Sequence, residues 1–492
     1  MIRLLILLPI VAAVATLLTP SPKGRRHLLV GTAGLHLLLT AGAWLMPLPT
    51  FAADAWLGLD HAGRFFLGIS SCLFFAVAIT VGPYLEQNRT GRQREADTGS
   101  IFVNASPAVF CACLLGFLAT MTLVAASRHL GVLWVAIEAT TLVTAPLIYF
   151  HRQPRSLEAT WKYLLVCSVG IALALIGNFL LVVASAADDI TAGSLVVSDL
   201  VARRALMQGP WLKAAFVFLL VGYGTKMGLV PMHTWLPDAH SEAPSPVSAL
   251  LSGALLNCAF LGILRAHSIC VAAGLGDFSG GILIFFGVLS MLIAAAFIVG
   301  QTDFKRLLAY SSIEHMGLLA LGAGLGGAAT YGALLHALNH SLVKAALFLC
   351  ASSFLAVYRT KLIPRIHGAI RVLPVSGWLW LFGFLAIAGS PPFGTFVGEF
   401  IILRTAFVGN HVWAGCLALL ALTIAFIGLA RAFISMALGP APANLKPVRE
   451  EPQQFWPPLA LLSLALLLGL WIPARLHGVL AAAATLLKGG VP

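Results

Sequence analysis

Charge is what this sequence has least of. Only 10% of its 492 residues are Asp, Glu, Lys or Arg, whereas an average soluble domain carries roughly a quarter. With 59% hydrophobic residues and a mean hydropathy of +0.94, that deficit excludes a water-soluble globular protein. The eight cysteines (Cys72, Cys111, Cys113, Cys167, Cys258, Cys270, Cys350, Cys416) all lie in apolar stretches, and none forms a C-x-x-C pair. A zinc site or iron–sulfur cluster with its usual ligand spacing is therefore not expected, and no cofactor of any kind is expected. A Gly-x-x-x-x-Gly-Lys-Ser/Thr loop is missing, and the glycine clusters have no strand before them, which argues against nucleotide binding. No constellation of nucleophile and base is apparent, so the chain is not expected to hold a redox centre or catalytic site of its own.

What the sequence has is apolar runs of about transmembrane length, ~20 residues, repeated from end to end. Fourteen candidate spans can be drawn, at 2–19, 27–46, 65–85, 106–126, 129–150, 159–185, 211–231, 244–267, 279–300, 304–324, 328–357, 375–408, 411–438 and 456–474. A short interfacial helix is expected from Ala474 to Lys488. The first run resembles a signal peptide, but further spans follow at once, so it is read as a retained helix. In lipid, backbone groups are satisfied within helices, and strands are not expected. The fold class is an all-α polytopic membrane protein.

The net charge of +12 bears on topology rather than on nucleic acid, because the basic residues are scattered and suit lipid headgroups. Sixteen of the 30 Lys and Arg residues fall in loops after odd-numbered spans or at their edges, nine on the opposite side or at the termini, again counting span edges, and five deeper within spans. The positive-inside rule then places both chain ends outside, in the periplasm of a bacterium, with the protein in the inner membrane.

Spans 7 and 12 look broken. Gly228-Leu-Val-Pro231 and Pro237 interrupt the first, and Gly389-Ser-Pro-Pro-Phe-Gly394 interrupts the second, each proline removing a helix hydrogen bond. The breaks lie five spans apart, so spans 4–8 and 9–13 are expected to be inverted-topology repeats with ion sites near the breaks. The expected division is 1–105 for three N-terminal spans, 106–270 and 271–440 for the repeats, and 441–492 for the last span and tail, all in one transmembrane domain.

The five basic residues within spans are Lys162, Lys226, Lys344, Arg404 and Arg431, and acids accompany them. A charge at the bilayer centre costs about 2.5–3.5 kcal/mol on insertion scales, so each needs a partner, water or a function. Glu138 sits in the middle of span 5, Lys226 before the first break, Glu314 and His315 in span 10, and Glu399 after the second break. His233 follows the first break. His336, His340 and Lys344 recur every four residues in span 11. At 1.5 Å per residue that spacing lays proton-binding groups over ~12 Å of one helix face. A lone histidine also serves as a packing residue, Lys162 can snorkel to the interface, Arg404 suits a structural place, and Asp303, Lys305 and Arg306 suit a solvated helix start.

The stretch from Lys226 to Gly253, with His233-Thr-Trp-Leu-Pro-Asp238-Ala-His240-Ser-Glu242-Ala-Pro-Ser-Pro at its centre, resembles the proton-conducting, antiporter-like membrane subunits shared by respiratory complex I, Mrp-type multisubunit antiporters and membrane-bound hydrogenases. Asp303 to Gly317, His336 to Phe348 and Ser390 to Phe400 support the likeness, and Ser241 to Phe260 is most similar to the hydrogenase-4 component F branch. The resemblance implies that Glu138 pairs with Lys226, that protons follow a central axis through spans 8 and 11, and that Glu399 passes them out. Lys162, His233, His315, His336, His340 and Lys344 join the expected proton-transfer set. One position departs from the pattern: where many relatives carry a lysine in span 8, this chain has Asn257, which orients water but releases no proton. The long lateral helix of the family's distal subunit does not follow span 14, which implies a middle position or a simpler complex. The implied partners are other membrane subunits and peripheral redox subunits with Fe–S clusters and a NiFe centre, in a formate-hydrogenlyase-type or NADH:quinone oxidoreductase-type complex. Protons are the expected cargo. A Na⁺/H⁺ antiporter subunit and a non-conducting scaffold remain as alternatives.

Overall fold

The computed structural model describes residues 1–47, 55–88, 92–94, 101–186, 194–443 and 445–486. Of the loop charges counted above, Arg89 and Lys488 lie outside the described residues.

Helices α1 (Ile2–Leu18), α2 (Pro22–Leu45) and α3 (His61–Gln87) come first, then α4 (Pro107–Ala126), α5 (Leu130–Ile148) and α6 (Pro154–Ser185). Short α7 (Val197–Ala202) precedes α8 (Gly209–Met227), α9 (Trp235–Glu242), α10 (Ser245–Leu250) and α11 (Leu256–Ala272). The second half holds α12 (Gly276–Val299), α13 (Phe304–Leu325), α14 (Gly327–Tyr358), α15 (Ala369–Val372), α16 (Pro374–Ile387), α17 (Gly394–Val408) and α18 (Val412–Ala437). Last come α19 (Pro452–Leu470) and the tail helix α20 (Ala474–Leu486). Their starts follow from local chemistry. Ser21, Asp60, Ser106 and Asp303 each cap a following helix with a side-chain oxygen, and Pro22, Pro107 and Pro154 occupy first-turn positions where no N–H is needed.

The chain is an all-helical, multi-pass membrane protein. Among the described residues ten helical stretches are long and apolar enough to cross a membrane, and α1 and α16 are shorter apolar helices. Segments at spans 7, 10 and 12 fall short for a stated reason: Lys213 and Lys226 dilute α8, Lys305, Arg306 and Glu314 dilute α13, and the third is split into α16 and α17. The expectation of no strands needs a small correction. Arg92–Arg94 and Ile101–Val103 form a two-stranded antiparallel ribbon in the connection between α3 and α4.

The continuous stretch α10–α11 is buried along its whole crossing window and forms the middle of the bundle. A π-helical turn, Leu251–Leu255, joins its two parts just before Asn257. Against this axis packs α14, which packs in turn on α13 and α17. Gly398 makes that approach possible: a Cβ there would stand 2.7 Å from the His336 Cβ.

His129, in the short connection between α4 and α5, caps α5 through Nδ1, which accepts from the N–H groups of Gly131 (3.1 Å) and Val132 (3.4 Å). Burial lowers its pKa from 6.5 by penalising the charged ring, and the neutral ring is the form that can accept. The cap therefore stabilises fully above that value and is lost as pH falls through the lower folded-state value. His129→Ala is expected to cost about 1 kcal/mol near neutrality. Thermal unfolding of wild type and variant should converge as the pH is lowered; a difference that persists in acid would rule the cap out.

Candidate proton-transfer site

The first break is built from a glycine. Gly228 takes φ +87°, ends α8, and donates to Gly224 O (2.9 Å) and Thr225 O (3.2 Å), while Leu229 N also reaches Gly224 O (2.9 Å). Val230 N donates to Ser290 Oγ at 3.0 Å, and Trp235 Nε1 returns to Thr225 O at 2.8 Å. The interrupted backbone is thus satisfied, and Lys226 is held in place one turn before it.

Lys226 is fully buried. Its ammonium donates to Thr141 Oγ1 (2.6 Å) and Tyr163 OH (2.7 Å) and lies over the Tyr163 ring at 4.5 Å. Thr141 donates onward to Glu138 Oε2 at 3.3 Å, and Ser168 donates to Glu138 Oε1 at 2.8 Å. Glu138 and Lys226 are therefore connected, though no direct ion pair joins them: one hydroxyl stands between. This refines the pairing that the resemblance implied. A hydroxyl that accepts from the lysine and donates to the carboxylate relays a proton without either charge moving far.

The second cluster gathers on α13, α14 and α17. His315 Nδ1 and His336 Nε2 are 2.8 Å apart, and His340 lies with its ring centre 5.0 Å from that of His315. Neither nitrogen of His340 has a hydrogen-bond partner, and His315 Nε2 has none. One helical turn further, the Lys344 ammonium donates to Leu308 O (2.6 Å) and to Ser311 Oγ, both on α13. At the other end His336 Nδ1 is 3.3 Å from Thr395 O and 3.9 Å from Glu399 Oε1. Glu399 is 7% exposed, with Oε1 unpartnered. Glu314, buried on α13, is within electrostatic reach of both Lys344 and Glu399. The row expected on span 11 is thus a row in space, and it ends at a carboxylate. The three imidazoles also place ring nitrogens within 4.8 Å of one another, the one such group among the described residues that meets the spacing of a metal site.

Asn257 joins the row from α11. Its Nδ2 donates to Gly253 O (2.8 Å) and to Ser341 Oγ (2.7 Å), beside His340, while Oδ1 is buried and unpartnered. The π-helical turn before it brings Ser252 Oγ to 2.8 Å from Ser312 Oγ.

Two of the expected residues stand apart. Lys162 has a half-exposed side chain and pairs with Glu158 (2.6 Å) and Asp238 (3.0 Å), away from the buried clusters. His233 lies in the break, 9% exposed, with Nδ1 unpartnered and its ring edge-on to Tyr310 at 6.4 Å. Arg404 and Arg431 are exposed on α17 and α18. The reading of Lys305 as a solvated base is corrected. It is 2% exposed, and its ammonium donates to Ser241 O (3.1 Å) and Ala243 O (2.5 Å), whereas Arg306 stays outside on Asp238 at 2.8 Å. His240, not among the expected proton-transfer residues, is fully buried with neither ring nitrogen partnered and is stacked on Phe348 at 5.4 Å.

Fold and site together define a membrane-embedded subunit with ionisable side chains strung through its interior. Residues 127–427 match the family described as NADH:quinone oxidoreductase/Mrp antiporter, transmembrane, and the chain belongs to that family. It is 40% identical to the hydrogenase-4 component F homolog of Methylacidiphilum infernorum, over 72% of this chain and 74% of that one. It is 30% identical to hydrogenase-4 component B of Escherichia coli over 78% of this chain, but spans only 56% of that longer relative. A chain of respiratory complex I from Thermus thermophilus superposes with a TM-score of 0.78 at 25% identity, covering 99% of this chain and 100% of that one.

Proposed function

We propose that the chain is a proton-translocating membrane subunit of a redox-driven complex of hydrogenase or complex I type, within the bacterial inner membrane. The observation that carries this reading is the run of buried groups on α13, α14 and α17: His315 Nδ1 and His336 Nε2 are 2.8 Å apart, His336 Nδ1 is 3.9 Å from Glu399 Oε1, both nitrogens of His340 and Nε2 of His315 lack partners, and Lys344 follows one turn further along α14. Isolated buried titratable groups are destabilising, and several in sequence have a common use in passing protons. Fourteen crossings, arranged as two inverted repeats about the breaks at Gly228 and Gly389, with both ends periplasmic, agree with the loop charges and with helices at the expected positions. The proposed setting is a formate-hydrogenlyase-type assembly whose peripheral partners carry Fe–S clusters and a NiFe centre, and the likeness to hydrogenase-4 components supports a hydrogenase-type complex.

Lys226, bridged by Thr141 to Glu138, acts as the switch. A charge change at a neighbouring subunit that withdraws Glu138 leaves a desolvated ammonium, which then releases its proton toward Asn257 and α14. Lys162 and His233 serve the approach to this switch from the cytoplasmic side. Thr141→Val keeps the shape and removes the bridge. It is expected to slow proton transport about tenfold, with no further loss on adding Glu138→Gln, since both changes break one path.

The test is redox-driven acidification of inverted membrane vesicles containing the assembled complex, with and without Na⁺ at fixed pH. Nitrogen donors dominate the row, and hard cations prefer oxygen cages, so the rate should not depend on Na⁺. Sodium-dependent transport would instead support the antiporter reading. An unchanged rate in Lys344→Ala would support the scaffold.

A further inference from the structure

If protons leave by the α14 row, Asn257 poses a supply problem, because an amide cannot hand on a proton arriving from Lys226. The row itself points to a second source. Continued by the same four-residue step, which drifts ~40° around the helix each time, Lys344 leads through Phe348 to Ser352 on successive turns of α14. Ser352 lines a pocket between α3, α14 and α19, with Thr80, Tyr84, Gln87, Ser353 and Gln454. Gln87 is exposed at its mouth, and Thr80, Tyr84 and Ser353 are buried at its walls. Six of its seven lining side chains are polar, and Leu349 is the seventh. Tyr84 OH lies 3.1 Å from His151 Nε2, and His151 Nδ1 lies 2.8 Å from Asn104 Oδ1. As the amide oxygen only accepts, the imidazole donates from Nδ1 and accepts from Tyr84 OH at Nε2, which leaves the Tyr84 oxygen free to accept within the pocket.

Between Ser352 and Lys344 lie eight residues of helix, ~12 Å. Phe348, the side chain midway, cannot carry a proton, but His240 is stacked on it at 5.4 Å and 19°. Lys344 and Lys305 are the charges within electrostatic reach of His240. A packing histidine normally has its nitrogens satisfied, since each buried unpaired polar group costs ~1–3 kcal/mol. His240 has neither nitrogen bonded and no exposure at all. We propose that the pocket between α3, α14 and α19 is the cytoplasmic-side inlet of the exit row, and that His240 carries protons from it, past Phe348, to Lys344. Once Lys344 has passed its own proton to His340, one His240 nitrogen takes a proton from water at the pocket while the other gives its own to the Lys344 amine, so charge and atoms balance over the cycle. The inlet deepens the proton-translocation reading and rests on it. It makes the Lys226 side a switch that gates the row electrostatically, without being its only supply.

Two variants in inverted vesicles test this, with Lys344→Ala as reference. His240→Phe keeps the stack on Phe348 and removes both nitrogens; it should lower redox-driven proton transport on the order of 10²-fold, with the complex still assembled. Ser352→Cys should react with a charged, membrane-impermeant methanethiosulfonate in inverted vesicles but not in right-side-out vesicles, and the reaction should block transport. Unmodified protein, whose neighbouring Cys350 is buried, supplies the background. If Lys344→Ala stops transport while His240→Phe pumps normally, or while Ser352→Cys does not label from the cytoplasmic face, the inlet is wrong and the proton-translocation reading stands. If Lys344→Ala itself pumps normally, that reading fails. Should His240→Phe not assemble, the labelling result alone decides.

Discussion

Lys226→Met abolishes redox-driven proton transport and leaves the assembled complex at least as heat-stable as the parent. Both halves of this expectation come from the same geometry. Lys226 has no exposure and no carboxylate in direct contact; only Thr141 Oγ1 and Tyr163 OH hold its ammonium. Methionine fills nearly the same volume and removes a desolvated charge worth about 2.5–3.5 kcal/mol on insertion scales. The two hydroxyls are not orphaned by the change, because Thr141 still donates to Glu138 and Tyr163 still has Thr144 at 2.7 Å. Replacing a buried ion by a hydrophobic residue of matching size is commonly neutral or stabilising. A structural lysine would show the opposite pattern, with transport retained and the unfolding midpoint lowered. Vesicle acidification and thermal unfolding of the purified complex, measured on one preparation, separate the two.

How much of this was legible in the sequence differs from element to element. The helices were, because lipid leaves few alternatives to long apolar runs with Ser, Asp or Pro at their starts; α13, capped by Asp303, begins where its sequence says. Both breaks were legible for the same reason, as Gly228 and Gly389 take positive φ beside prolines. The α14 row was visible because a four-residue step is a property of one helix. What escaped reading depends on contacts between helices. Nothing in the spacing of Glu138, Thr141 and Lys226 says that the hydroxyl stands between the two charges. Lys305 and Arg306 are adjacent in sequence, yet one turns inward to the carbonyls of Ser241 and Ala243 and the other outward to Asp238. His240 was hidden by its setting: a Pro-Asp-Ala-His-Ser-Glu string reads as a wetted loop, and only the fold shows α9 lying against Phe348 of α14. Lys162 fits the snorkelling alternative, its half-exposed side chain leaving the helix toward Glu158 and Asp238.

Glu399→Gln is the second change expected to stop transport, and it tests the outlet rather than the switch. The carboxylate sits where α17 restarts after the break, and its Oε1 is 3.9 Å from His336 Nδ1. Against its other side lies Gly389, where any Cβ would overlap the carboxylate oxygens. Glutamine is isosteric, fits the same pocket and accepts a hydrogen bond, but it cannot give up a proton to the far side. Shape is therefore kept and only titration is lost. Glu399→Asp keeps titration but draws the carboxylate back by about one methylene, so transport should fall about tenfold rather than vanish. Gly389→Ala approaches the same outlet from the backbone: φ +62° is costly for alanine, and the new methyl would push the carboxylate from its place. The expected order of pumping rates is wild type, then Glu399→Asp, then Gly389→Ala, with Glu399→Gln at background. If Gln pumps as well as Glu, protons leave without this carboxylate, and the row on α14 must empty by another side chain.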